Sequence, residues 1–323
     1  QNNTVTYYFD TMKIEDMNES NIQSYIDRHL TIRKKEKDRY GEVFTPYEFI
    51  EEIMNNLPSK VWSNKDLCWL DPCSGTGNFM AVAYVKLMKG LHKHFPDPKK
   101  RKTHILKNML HMIELNPSNA NKLTQLFGKS ANVCQSNFLD SREKWMDGLG
   151  KKHFDIIVGN PPFQTKKSKT YEGSVGNRTL WTKFLDFIFN EQLLTSNGYL
   201  GFITPSNWRR PKHPLYDLLT RQNHLSYLHI YGKKEGLKKF SAQTRFDVYI
   251  VQEGTKNTSK NTKIIDEKGE KLVLDLTSWP FLPNFSYEKI EKIMVQKDKG
   301  IEILFDAGLY DARKLSKKKS KKT

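Results

Sequence analysis

From about residue 45 onward, short apolar runs alternate with longer amphipathic stretches. Pro46 suits the first position of a helix, where its missing N–H costs nothing. Phe49, Ile50, Ile53, Met54 and Leu57 then recur at helical spacing. Residues 68–70 read as a buried strand ending at Asp71, followed by strands over 110–113, 132–134, 154–158, 198–203, 225–230 and 245–252. Between them, residues 79–91, 118–127, 180–194 and 215–219 carry the helical period. This alternation predicts an α/β fold: a seven-stranded, mostly parallel sheet with helices on both faces. Right-handed crossovers then gather the strand-to-helix loops on one edge. Residues 1–40 are polar and charged and read as a basic, helical approach segment. Residues 41–252 form the main body, with a polar loop or linker over 253–272. The span 253–312 as a whole is expected to be a small C-terminal add-on, and 313–323 a disordered basic tail.

Composition narrows the class. Hydrophobic residues make up 37% of the 323, low for a globular protein but enough for a packed core, so wholesale disorder is not expected. No apolar run approaches the roughly 18 residues of a membrane-spanning helix. The first ten residues lack the pattern of a signal peptide, and the first residue is Gln rather than Met, which leaves room for a natural start upstream. Three scattered cysteines, Cys68, Cys73 and Cys134, suit neither a disulfide framework nor a zinc site. A reducing compartment and no metal are therefore expected. Lys and Arg number 53 against 36 Asp and Glu, a net charge of +17. Such an excess points to an anionic partner, of which nucleic acid is the commonest, although charge alone does not separate that from general stickiness.

Three motifs sit where strands end. The first is Asp71-Pro72-Cys73-Ser74-Gly75-Thr76-Gly77-Asn78-Phe79. Two glycines between a strand and a helix let the backbone approach a ligand at the positive end of the helix. A nicotinamide fingerprint needs a third glycine where Met80 stands, and no Gly-Lys-Ser/Thr follows for a P-loop. Alone, Gly-x-Gly fits a plain tight turn equally well. The second is Glu114, which closes a strand and can accept from a ribose diol, or else is a solvated acid at a helix start. The third is Asn160-Pro161-Pro162-Phe163, after the strand over 154–158. Two prolines stiffen the backbone, so the Asn oxygen and a neighbouring carbonyl become rigid acceptors beside an aromatic face, suited to a planar exocyclic amine. Elsewhere the same residues would make an ordinary turn; the C-terminal edge of a central strand favours function.

These motifs, in this order, resemble those of S-adenosylmethionine-dependent amino-methyltransferases, and more narrowly the gamma-type N6-adenine DNA methyltransferases of restriction-modification systems. The resemblance covers about residues 40–252. It implies a Rossmann-like class I methyltransferase domain. Gly41-Glu42-Val43-Phe44-Thr45-Pro46 looks like the family's N-terminal cofactor motif. With it, Asp71, Cys73, Gly75, Gly77, Asn78, Phe79, Glu114, Asn137 and Phe138 become the implied cofactor-binding residues. The family usually has Asp where Asn137 stands; an Asn oxygen can still accept the cofactor's adenine amine. Asn160, Pro161, Pro162 and Phe163 become the catalytic tetrapeptide, with Phe where Tyr is commoner. Residues 180–184 and 198–208 also look family-like, and Phe240 loosely matches an aromatic that stacks on the target base.

Adenine N6 is a weak nucleophile because its lone pair is delocalised. Acceptors at Asn160 Oδ1 and the Pro161 carbonyl would take both amine hydrogens, bonds that strengthen as charge builds on nitrogen. In duplex DNA the base must first be flipped out. Residues 164–179, 205–213 and 232–240 each carry +3, and Lys166, Lys167, Arg178, Arg209 and Arg210 are the expected phosphate contacts. The tail adds +7, which leaves the rest of the chain at +1. The expected partner is duplex DNA, with a cognate restriction endonuclease acting separately. Localisation is then cytoplasmic and nucleoid-associated, or nuclear in a eukaryote. RNA adenine or protein glutamine methylation could use the same acceptors, and the Phe44-Thr45-Pro46 motif ahead of the glycine loop argues for DNA instead. A catalytically silent DNA-binding subunit is the other alternative, against which the intact tetrapeptide argues.

Overall fold

The computed structural model describes residues 12–32, 44–140, 142–163, 179–240, 243–254 and 259–294. The chain divides after Phe285 into two units; the described part of the second holds one helix, Tyr287–Ile293. The first unit is built on one nine-stranded sheet in the order β3-β2-β1-β4-β5-β7-β6-β8-β9. Its strands are β1 (Trp69–Asp71), β2 (Leu110–Glu114), β3 (Asn132–Gln135), β4 (Phe154–Gly159), β5 (Leu194–Pro205), β6 (His224–Tyr231), β7 (Phe246–Gln252), β8 (Thr262–Ile265) and β9 (Lys271–Leu274). β7 runs antiparallel between β5 and β6, and β9 antiparallel to β8; the other pairings are parallel.

The α/β sheet flanked by helices is as expected, but it has nine strands rather than seven and is more mixed. β8 and β9 come from residues read as polar loop and add-on. Each is four residues long, and only two of the eight side chains, Thr262 and Ile264, are buried, so neither carries an apolar run. By contrast β1 and β2 are buried at every position and β4 at all but one, because helices cover both faces there.

The helices used below are α1 (Ile22–Ile32), α2 (Tyr47–Asn56), α3 (Asn78–Gly90), α4 (Pro117–Phe127), α5 (Glu143–Leu149), α6 (Trp181–Asn190) and α7 (Lys233–Phe240). α7 falls in a segment read as a basic loop. Only Gly236 and Phe240 of it are buried, too little apolar periodicity to signal a helix. Strand order reverses at β1, with β2 and β3 on one side and β4 and β5 on the other. The carboxyl ends of β1 and β4 therefore flank a topological switch point, where open α/β sheets bind ligands.

Candidate active site at the switch point

The β1 end builds a turn that is fixed from β2. Ser74 N–H donates to the Ile113 carbonyl at 2.9 Å, and Gly77 N–H to the Ser74 carbonyl at 2.7 Å. The Glu114 carboxylate accepts Gly75 N–H on one oxygen and Asn116 N–H on the other, both at 2.7 Å. The two glycines do different jobs. Gly75 has φ +54°, and a Cβ there would meet nothing within 4 Å, so its backbone faces open space. Gly77 has φ +88°, and a Cβ there would lie 2.7 Å from Leu123 and 2.6 Å from Phe127. The second glycine thus lets α3 start tight against α4. Asp71 is buried, with Oδ1 accepting Cys73 N–H at 3.1 Å. Burial above all, with the Glu114 charge adding to it, pushes the Asp71 carboxyl up to about 8. Burial likewise pushes the Cys73 thiol well up.

β4 ends in Gly159, where a Cβ would stand 3.2 Å from Asp71 Oδ1, so the strand passes close to the β1 turn. Asn160 follows, 8% exposed. Its Nδ2 donates to Thr45 Oγ1 at 3.0 Å, while its Oδ1 is buried with no hydrogen-bond partner among the described residues. An unsatisfied buried carbonyl costs about 1–3 kcal/mol, so it calls for a reason.

A cleft of about 250 Å3 joins these pieces. Of the residues expected to bind cofactor, it is lined by Phe44, Thr45, Cys73, Gly75, Asn78, Phe79, Glu114, Asn137 and Phe138, and of the tetrapeptide by Asn160 and Pro162. Pro46 caps α2, and Asp71 and Gly77 support the turn from behind. Asn137 closes a local turn: its Oδ1 accepts Leu139 N–H at 3.2 Å and its Nδ2 donates to Asp140 Oδ1 at 3.0 Å. Phe138 stacks between Trp145 and Phe184, with centroids at 5.6 and 5.2 Å. The lining also takes in Leu115, Leu180 and Phe184, to which no role is assigned from sequence. Leu180 and Phe184 stand four apart where α6 begins, a spacing that places both on one helix face.

Two expected DNA contacts are corrected. Arg209 is buried, not exposed: Nε pairs with the buried Asp247 at 2.8 Å, and the remaining nitrogens donate to the Leu282 and Pro283 carbonyls and to Asn284 Oδ1. Every nitrogen of that guanidinium is used inside the fold, leaving none to meet a phosphate. Phe240 is also buried, edge-on to Phe163 at 6.0 Å and Phe246 at 4.8 Å, and tilted against Phe49 at 5.7 Å. It presents no open face for a base in this arrangement. Arg210 is exposed, as are Lys212, Lys233, Lys234 and Lys238. Lys166, Lys167, Arg178, residues 41–43 and the tail lie outside the described residues. Among the described residues no cluster of three or more potential metal ligands occurs, and no helix is long and apolar enough to cross a membrane.

The chain is 26% identical to an uncharacterized adenine-specific methylase of Mycoplasma pneumoniae, over 52% of this chain and 55% of that protein. It is 25% identical to the type II methyltransferase M.VspI of Vibrio sp. strain 343, over 52% of this chain and 37% of that one. The chain thus spans about half the length of the first of these relatives and less of the second. In fold it resembles a chain of a type I R-M system complex (TM-score 0.54, 18% identity, 84% of this chain and 53% of that one). It also resembles the M protein of the type I restriction enzyme EcoKI (TM-score 0.51, 15% identity, 84% and 65%). The model of one family matches residues 13–237, most of the chain and all of the cleft, and on that match the chain belongs to the Eco57I restriction-modification methylases.

Proposed function

We propose that this chain transfers a methyl group from S-adenosylmethionine to N6 of an adenine flipped out of duplex DNA. The observation that carries the reading is Asn160 Oδ1, a buried acceptor without a partner among the described residues, on the wall of the cleft at the switch point. A hydrogen-bond acceptor kept at a cost in stability suits a donor that arrives with the substrate.

The residues present fit the cofactor. Gly75 presents backbone with open space where a side chain would be, and Phe138 and Leu115 offer apolar surface. Glu114, held by two backbone N–H groups, would take the ribose hydroxyls, since a carboxylate has about four acceptor sites. When bound, S-adenosylmethionine supplies an electrophilic methyl group. Asn160 Oδ1 and the Pro161 carbonyl accept the amine hydrogens and hold the nitrogen's lone pair toward the cofactor side. These bonds strengthen as positive charge develops on nitrogen, so they favour the transition state over the ground state. Pro162 and Phe163 hold the base plane, and the apolar walls at Leu180 and Phe184 exclude water. Arg210, Lys212, Lys233, Lys234 and Lys238 take the phosphates. Residues 41–252 carry catalysis and 253–312 target reading, with a restriction endonuclease acting separately on the same sites.

Incubation with labelled S-adenosylmethionine and unmethylated plasmid DNA, structured RNA or protein extract tests the reading. N6-methyladenine in DNA is the expected product. Label confined to RNA or to protein glutamine would overturn it.

A further inference from the structure

We infer that Thr45 is a positioning residue for the methyl-transfer step, acting through the amide of Asn160 rather than by binding the cofactor; the inference rests on the function proposed above. The amide has two ends of opposite character. For the oxygen to face a substrate amine, the NH2 end must point away, into protein, and there it needs an acceptor. Thr45 Oγ1 is that acceptor, 3.0 Å from Nδ2, in a position where Thr45 is 5% exposed and Asn160 8%. With no acceptor there, the productive orientation buries an unsatisfied NH2 group. The reversed orientation then turns that NH2 toward the incoming amine, donor against donor. The Thr45 hydroxyl removes this penalty from the productive orientation, and the incoming amine, which needs an acceptor, makes that orientation the favoured one.

The acceptor is held in place by α2, which begins two residues later. Pro46 precedes the helix with φ −56°, and Phe49 N–H donates to the Pro46 carbonyl at 3.2 Å. α2 sits hard on the sheet: a Cβ at Gly201 of β5 would stand 2.5 Å from Ile53. Its Glu52 is gripped from β6 by three donors at alternate positions. Tyr227 OH and His229 Nδ1 donate to Oε1 and Tyr231 OH to Oε2, each at 2.6 Å. Phe49 packs edge-on against Tyr231 at 5.0 Å and Phe246 at 5.3 Å. The hydroxyl that orients the amide from β4 is thus fixed by an element anchored on β5 and β6.

The test compares Thr45→Val, isosteric but without an acceptor, with Thr45→Ser, which restores one. Three quantities are measured on the full chain: the single-turnover rate on unmethylated plasmid DNA, S-adenosylmethionine affinity by calorimetry, and the thermal midpoint. Thr45→Val is expected to slow methyl transfer by about 100-fold, the scale of a small misplacement at a reacting centre. Cofactor affinity should stay within about twofold, and a cooperative thermal midpoint shows that the variant is folded. Thr45→Ser should recover most of the rate. A Val variant at wild-type rate, a Ser variant as slow as Val, or a loss that appears in cofactor affinity instead of rate overturns the inference. Wild-type protein that methylates no DNA adenine fails the proposed function itself, whatever the variants do.

Discussion

Asn160 and Arg209 are both buried polar side chains at the carboxyl ends of neighbouring strands, β4 and β5, and they are solved in opposite ways. Arg209 spends every nitrogen on Asp247, two carbonyls and Asn284, and so clasps the segment 282–284 to β7. Asn160 spends its NH2 on Thr45, and its oxygen, on the wall of the cleft, has no partner among the described residues. Completed bonding marks architecture. Bonding left open beside a cavity is what the proposed chemistry uses. A charge count sees the first as a DNA contact and overlooks the second.

The sharpest way to break the contrast is Arg209→Leu. It leaves the Asp247 carboxyl buried without its cation, and burial already pushes that carboxyl up. A loss of about 3–5 kcal/mol in urea unfolding is expected, and a joint Arg209→Met/Asp247→Leu replacement should recover much of it. If Arg209→Leu left stability untouched and weakened DNA binding instead, the clasp would be wrong.

Asn160→Ala should do the reverse. Methyl transfer falls by about 10²- to 10³-fold, the usual cost of one group aimed at developing charge. Stability moves by no more than about 1 kcal/mol, because the change also removes an unsatisfied acceptor. A variant that turns over near the wild-type rate would remove Asn160 from catalysis.

His111, inside β2, is an intermediate case, satisfied in one protonation state only. Its Nδ1–H donates to the Trp69 and Met109 carbonyls, and burial pulls its pKa from 6.5 down to about 4. Between those values the unfolded chain binds a proton that the native state refuses. Stability is therefore lost as pH falls from about 6.5 to about 4, by about 3 kcal/mol. Urea titrations at pH 7 and pH 4 should show this loss for wild type and a correspondingly smaller one for His111→Asn. The smallest effect belongs to the open rim. Replacing Lys233, Lys234 and Lys238 with Gln should lower the slope of log affinity against log salt by about 0.9 for each phosphate that these lysines neutralise. An unchanged slope would place the DNA elsewhere.

How far the sequence reaches can be read residue by residue. The strands at β1, β2 and β4 were legible because both of their faces are covered, so burial appears as an unbroken apolar run. The lining of the cleft was legible where one short motif carries it whole: Gly75 in its turn, Glu114 at a strand end, Asn160 between Gly159 and the prolines. β8, β9 and α7 were not legible, since only two buried residues anchor α7 and the same number the two strands together, and local periodicity needs more. The sequence by itself determined the α/β class, the order of the motifs and the edge of the sheet where they meet, because strand burial and turn chemistry are local. Only the tertiary structure decided that Arg209 faces inward, that Gly77 lets one helix start against another, and that Thr45 meets Asn160 across 115 positions of chain. A hydrogen bond of that kind depends on where two distant backbones come to lie, and no pattern local to either residue records it.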